Sequence, residues 1–135
     1  MPPCLLPLLI ASRVRAAAST AASLIAAYRE MIAKAHAKNV RICGATILPF
    51  NGNGYYNPSS EQCRATVNQW IREKGHFDAC IDLDRVMRDP GDTTRLRLPA
   101  YQNDGLHPDA AGYKVMGESI EHALFRGADT VLQRK

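Results

Sequence analysis

Among the residues able to do chemistry, Asp104 and His107 stand out. They lie in the stretch NDGLHPDAAGYKVM, residues 103–116, three positions apart, with Pro108 directly after the histidine. On a turn entering a helix, side chains at i and i+3 can meet. A carboxylate that accepts the Nδ1–H of an imidazole fixes its tautomer and orientation, leaving Nε2 to take a proton from a nucleophile. Pro108 stiffens the chain after the histidine and presets the helix start. The spacing therefore points to an acid–base pair serving nucleophilic catalysis.

The nucleophile is harder to find. The serines are Ser12, Ser19, Ser23, Ser59, Ser60 and Ser119, and none lies in the G-x-S-x-G or G-D-S context that exposes Oγ on a sharp turn. Ser19 and Ser23 suit a helix start or surface, Ser59 and Ser60 suit caps, and Ser119 suits a helix surface. Cys4, Cys43, Cys63 and Cys80 form no C-x-x-C pair and have no histidine at zinc-finger spacing. Cys43 and Cys63 read as small core residues and Cys80 as a strand residue, so all three are expected to be inert. No metal or organic cofactor is implied. Whether the thiols are reduced or bridged stays open.

Secondary candidates cluster in NGNGYYNP, residues 51–58. The side-chain amides of Asn51 and Asn53 have the chemistry of oxyanion donors. Beside Gly52 and Gly54 the same residues suit turn positions of positive φ. Phe50, Tyr55 and Tyr56 have the bulk to wall an acyl pocket, or simply to pack the loop. His36, His76 and His122 have no nearby carboxylate in a restrained loop and read as surface or helix-end residues. Asp82 and Asp84 read as structural, with Arg85 or Arg88 as expected partners.

Behind these residues stands a recognisable order of elements. Leu24, Tyr28, Ile32 and Ala35 set a helical stripe from about 17 to 38, with Asn39 as its stop. The run VRICGATILPF, residues 40–50, is almost continuously apolar, as in a parallel strand covered on both faces, and Pro49 ends it. Ser59 and Gln62 have capping-box spacing at the start of a second helix, whose inner face carries Cys63, Val67, Trp70 and Ile71 and which Gly75 closes. FDACIDL, residues 77–83, reads as a second strand and 84–103 as an extended loop with one short turn. A last helix starts at Pro108 and Asp109, with Tyr113, Met116, Ile120, Ala123 and Leu124 inward. The alternation predicts an α/β fold with parallel strands. Two strands are few for such a sheet, and each leaves an open edge.

Composition agrees with one folded domain. The chain has 135 residues, 46% hydrophobic, 22% charged and 7% aromatic, which excludes a wholly disordered or collagen-like chain. The net charge is +4, and the excess sits early: residues 1–41 carry six Lys/Arg against one acidic residue. Without a Lys/Arg run or an aromatic-studded basic stripe, this reads as a solvated surface rather than a nucleic-acid interface. Residues 1–20 differ from the rest. The apolar run Cys4–Ile10 precedes Arg13 and Arg15, which inverts the order of a signal peptide. The segment reads as an irregular arm, or as a leader for secretion or periplasmic export, in front of a domain over 21–135. No stretch is long enough to span a membrane.

The block DGLHPDAAGY resembles the last conserved block of the SGNH hydrolases, also called GDSL esterases and lipases. RICGATILPF with NGNGYY after it resembles that family's fourth strand and following loop. RATVNQWIREKGHFDACIDLDRVMRDP resembles its next helix and strand. The resemblance spans about residues 22–125. It implies a three-layer α/β/α flavodoxin-like fold and hydrolysis of a small carboxylic ester through an acyl-enzyme. It gives Asp104 and His107 the roles of acid and base. The family's GDS and GxND blocks, which carry the serine nucleophile and the oxyanion asparagine, do not occur, and residues 1–20 match no family block. The chain accordingly resembles the C-terminal half of such an enzyme, with the N-terminal strands lacking. It is expected either to activate a serine not identifiable here, or to be a catalytically inactive remnant that acts through self-association at its sheet edge or through a partner chain.

Overall fold

The computed structural model describes residues 20–97, 104–121 and 124. The expectations placed on residues 1–19, on His122 and on Ala123 lie outside them.

Helix α1 spans Ala21–His36. Thr20 caps its N-terminus by accepting the Ser23 N–H, and after the helix Asn39 takes a left-handed φ of 56°. That is the stop expected of an asparagine, whose short polar side chain tolerates this region. Helix α2 spans Pro58–Arg72. Its cap is Asn57 rather than the expected Ser59. Asn57 and Ser60 bond each other's backbone N–H reciprocally, and Pro58 occupies the first turn, where no N–H is needed. The helix ends at Arg72, ahead of Gly75.

The two helices make the core. Ile32 of α1 joins Val67, Trp70 and Ile71 of α2, with Leu24, Ile25, Tyr28, Ile47, Cys63 and Phe77 packed around them. Tyr28 and His76 both stack on the Trp70 ring, His76 at 4.1 Å between centroids, and Phe77 meets Trp70 edge-on.

Strand β1 is Cys43–Ala45 and strand β2 is Ala79–Ile81. They pair in parallel, Gly44 opposite Cys80. Gly44 is required because a Cβ there would lie 2.3 Å from the Phe77 ring. The expected parallel α/β arrangement is present, but both strands are much shorter than the apolar runs containing them. Val40 is exposed, so the first run starts too early. At its far end the amide of Asn68 bonds both backbone groups of Ile47, donating to its carbonyl at 2.8 Å and accepting from its N–H at 2.7 Å. A helix side chain thus takes the place of a ladder partner. Nor are both faces of the sheet covered among the described residues: Ala45 and Cys80 are exposed.

After β2 comes helix α3, Leu83–Met87, which begins on the last residue expected in the second strand and runs into the stretch expected to be a loop with one short turn. An antiparallel bridge between Arg88 and Leu96 closes the segment behind it, burying Leu96. Helix α4 spans Ala110–Glu118, is capped by Asp109 and packs on α3. Tyr113, expected inside, is exposed, while Met116, Ile120 and Leu124 are half-buried.

Candidate active site

The Asp104–His107 turn closes on itself. One Asp104 oxygen accepts the backbone N–H groups of Leu106 at 2.9 Å and His107 at 2.7 Å. The other lies 2.7 Å from Nδ1 of His107. Gly105 between them has φ +75°, a conformation glycine adopts without penalty. These donors, the His107 N–H first, then its ring and the Leu106 N–H, hold the Asp104 carboxyl well below the usual carboxylate range. An ionised carboxylate only accepts, so Nδ1 carries the proton and donates it. Nε2 has no hydrogen-bond partner among the described residues. Pro108 is buried and Asp109 begins α4, so the imidazole projects from a turn anchored at a helix start. Both side chains are largely exposed, His107 at 64%.

The loop of residues 51–57 lies against this turn. Asn53 Nδ2 donates to the backbone carbonyl of Asp104 at 3.1 Å, and its Oδ1 accepts the Tyr55 N–H. Asn51 Nδ2 donates to Thr94 Oγ1 at 2.8 Å, and its N–H donates to the Thr94 carbonyl. Both amides are thus engaged within the fold, the first beside the Asp–His pair and the second away from it. Neither asparagine has the positive φ expected of a turn position; Gly52 takes it, at 116°.

Phe50 and Tyr55, together with Thr20, Leu24, Ile47 and Cys63, line a groove of about 760 Å³ between α1 and the start of α2. Tyr56 packs edge-on against Phe50. Asp104 and His107 are not among the groove's lining residues.

The described serines are committed elsewhere or sit on helices. Ser23 and Ser119 donate to backbone carbonyls three residues back, Ser60 belongs to the α2 cap, and Ser59 is exposed on the first turn of α2. Partial desolvation on the sheet, with the Asp82 charge next to it, pushes the Cys80 thiol up, away from the thiolate a nucleophile needs. Among the described residues no group of three His, Cys, Asp or Glu side chains is placed to hold a metal.

Two expectations about ionic partners are corrected. His36 and His76 do face carboxylates: His36 Nε2 lies 3.0 Å from Asp78 and His76 Nε2 lies 3.1 Å from Glu73. Asp82 pairs with Arg72, not with the Arg85 side chain, and Asp84 pairs with Arg64 and Arg72 as well as Arg88. Arg64 and Asp84 are both buried, a pair the sequence reading missed. Its signal was the occurrence of Arg64 and Asn68 in step with Val67 and Ile71 on the inner face of α2.

The chain matches the GDSL-like Lipase/Acylhydrolase family over residues 10–115. It belongs to that family. The match spans most of the chain and includes the Asp104–His107 turn, the 51–57 loop and both strands. It also takes in residues 10–20, where no family block is legible in the sequence. A GDSL-like lipase/acylhydrolase is an ester-cleaving protein in general kind, and the mixed α/β structure with a small parallel sheet is compatible with it. No curated protein matches the chain. No helix among the described residues of this GDSL-family chain is long and apolar enough to cross a membrane.

Proposed function

We propose that the chain supplies the acid–base pair of a carboxylic ester hydrolase acting on a small ester. Asp104 holds His107 by Nδ1. Nε2 accepts the proton of a serine hydroxyl as its Oγ attacks the ester carbonyl, and gives that proton to the departing alcohol. In the second half Nε2 deprotonates a water, which releases the carboxylic acid and regenerates the serine. The supporting observation is the Nδ1 contact of 2.7 Å within a turn that Asp104 itself closes. Supporting the fold that goes with it, a three-layer flavodoxin-like sheet represented in part, are the parallel strands and the pairing of α1 with α2 and of α3 with α4. The nucleophile in this reading is a serine other than the four described ones.

The test is a fluorophosphonate probe applied to the full chain, followed by digestion and mapping of the labelled residue. One labelled serine, lost in His107→Ala, is the expected result. Absence of labelling in folded protein overturns the reading. Weak turnover of activated esters is not support, because an exposed histidine alone gives it.

A second reading rests on the sheet. Among the described residues β1 and β2 each pair on one side only, and open edges of this kind recruit further strands. In that reading the chain is inactive and pairs with a second copy of itself. Light scattering giving a monomer mass at micromolar concentration overturns it.

A further inference from the structure

The Asp104–His107 hydrogen bond joins residues three apart and fixes the two side chains relative to each other. It says nothing about where the pair sits relative to the rest of the molecule. An exposed local ion pair is too weak to do that alone. Two contacts tie the turn to the 51–57 loop. Asn53 bridges the Asp104 carbonyl and the Tyr55 N–H, which fixes its amide orientation, since the flipped amide would set oxygen against oxygen. Gly105 lies so close to the loop backbone that a Cβ would come 2.7 Å from the Gly52 carbonyl carbon and 2.9 Å from the Asn53 nitrogen. The loop in turn is anchored. Asn51 is bonded to Thr94 through both backbone and side chain, and Arg64, buried beside Asp84, donates to the Thr93 carbonyl next to it. A continuous path of contacts therefore runs from the buried Asp84 to the exposed His107.

We propose that Asn53 is a positioning residue that places the Asp104–His107 turn, seated on the Gly52–Gly105 contact, at the distance from the fold that proton transfer requires. This rests on the ester-hydrolase reading for its kinetic consequence but not for its structural one. Misplacement of a reacting group by about 1 Å costs about 10²-fold in rate.

The test compares the full chain with Asn53→Ala and Asn53→Asp, the second having the same shape but no amide to donate. In both, kcat is expected to fall about 10–100-fold with KM and the denaturation midpoint little changed. Backbone order parameters at Leu106 and His107 are expected to drop from about 0.85 towards 0.6. The His107 ring should keep its Nδ1–H tautomer, because the local turn survives. Order parameters that stay at the wild-type level in the variants overturn the proposal, as does an undiminished kcat. If the unmutated chain neither labels nor turns over ester, the hydrolase reading fails and the order parameters alone decide on Asn53. Should Asn53→Ala not fold, Asn53→Asp decides.

Discussion

The Asp84 cluster and the Asp104 turn are both built on a carboxylate facing a base, and they differ in nearly every other respect. Asp84 is buried, contacts three arginines and accepts its own N-terminal support from Thr46, whose hydroxyl receives the Asp84 N–H while donating to Asp82. Asp104 is exposed, faces one imidazole and leaves that imidazole's far nitrogen open. The first arrangement is turned inward, with both Asp84 oxygens taken up by arginines of the same fold. The second is closed on one side and open on the other, which a reaction needs. The histidines repeat the lesson. His36 and His76 each bind their carboxylate through Nε2, the nitrogen His107 leaves open.

The largest expected effect breaks the buried side of this contrast. Asp84→Ala leaves Arg64 buried with one carboxylate fewer and should cost about 3–5 kcal/mol in urea denaturation. Asp104→Ala should leave the denaturation midpoint near that of the wild type. Equal losses would erase the distinction. Next, His107→Ala should lower ester turnover by about 10²–10⁴-fold, and His36→Ala should leave it within about twofold. Loss in both would show that a carboxylate partner, rather than the open Nε2, marks the site.

A smaller effect separates two glycines. Gly75→Ala, at φ +94° in open space, should cost only the left-handed backbone, about 1–2 kcal/mol. Gly105→Ala carries the same backbone cost plus the clash with Gly52, and its stability loss should be the greater of the two. The smallest signal is in titration. Asp104 is depressed by its three donors, so its contribution to the turn is present above the ordinary carboxylate value and is lost only as pH falls through the depressed one. Its carboxyl carbon resonance should stay put from neutral pH down to roughly pH 3, whereas a free aspartate moves near pH 3.9. Movement near that ordinary value would mean that the turn does not hold.

The Asp–His turn was legible because everything that makes it is local: a carboxylate, a glycine, a histidine, a proline and a helix start within six residues. Helices α1 and α2 were legible from their apolar stripes; α3 was not, and α4 was legible only from its start, since it ends at Glu118, before Ile120 and Leu124, and leaves Tyr113 exposed. The strands were overread because hydrophobic runs report burial, not pairing, and Ile47 packs half-buried against the core while bonded to Asn68. The Asn57 cap was hidden by a loop rich in competing turn residues. Arg64 falls in step with the inner face of α2, which marks it as buried, but its meeting with Asp84 twenty positions on is set only by the fold. The same holds for Asn53 and Asp104, which are joined only by the way two distant loops fold together.

Trp70 is the chain's sole tryptophan, stacked on by the rings of Tyr28 and His76 and nearly shut off from water. The protein therefore carries a single tryptophan fluorophore, excitable apart from the tyrosines, at the point where α1, α2 and the start of β2 converge. Its emission should shift to the red in one step when the helices part and stay blue when only the Asp104–His107 turn is disturbed. Unfolding and local loosening can thereby be told apart by light alone.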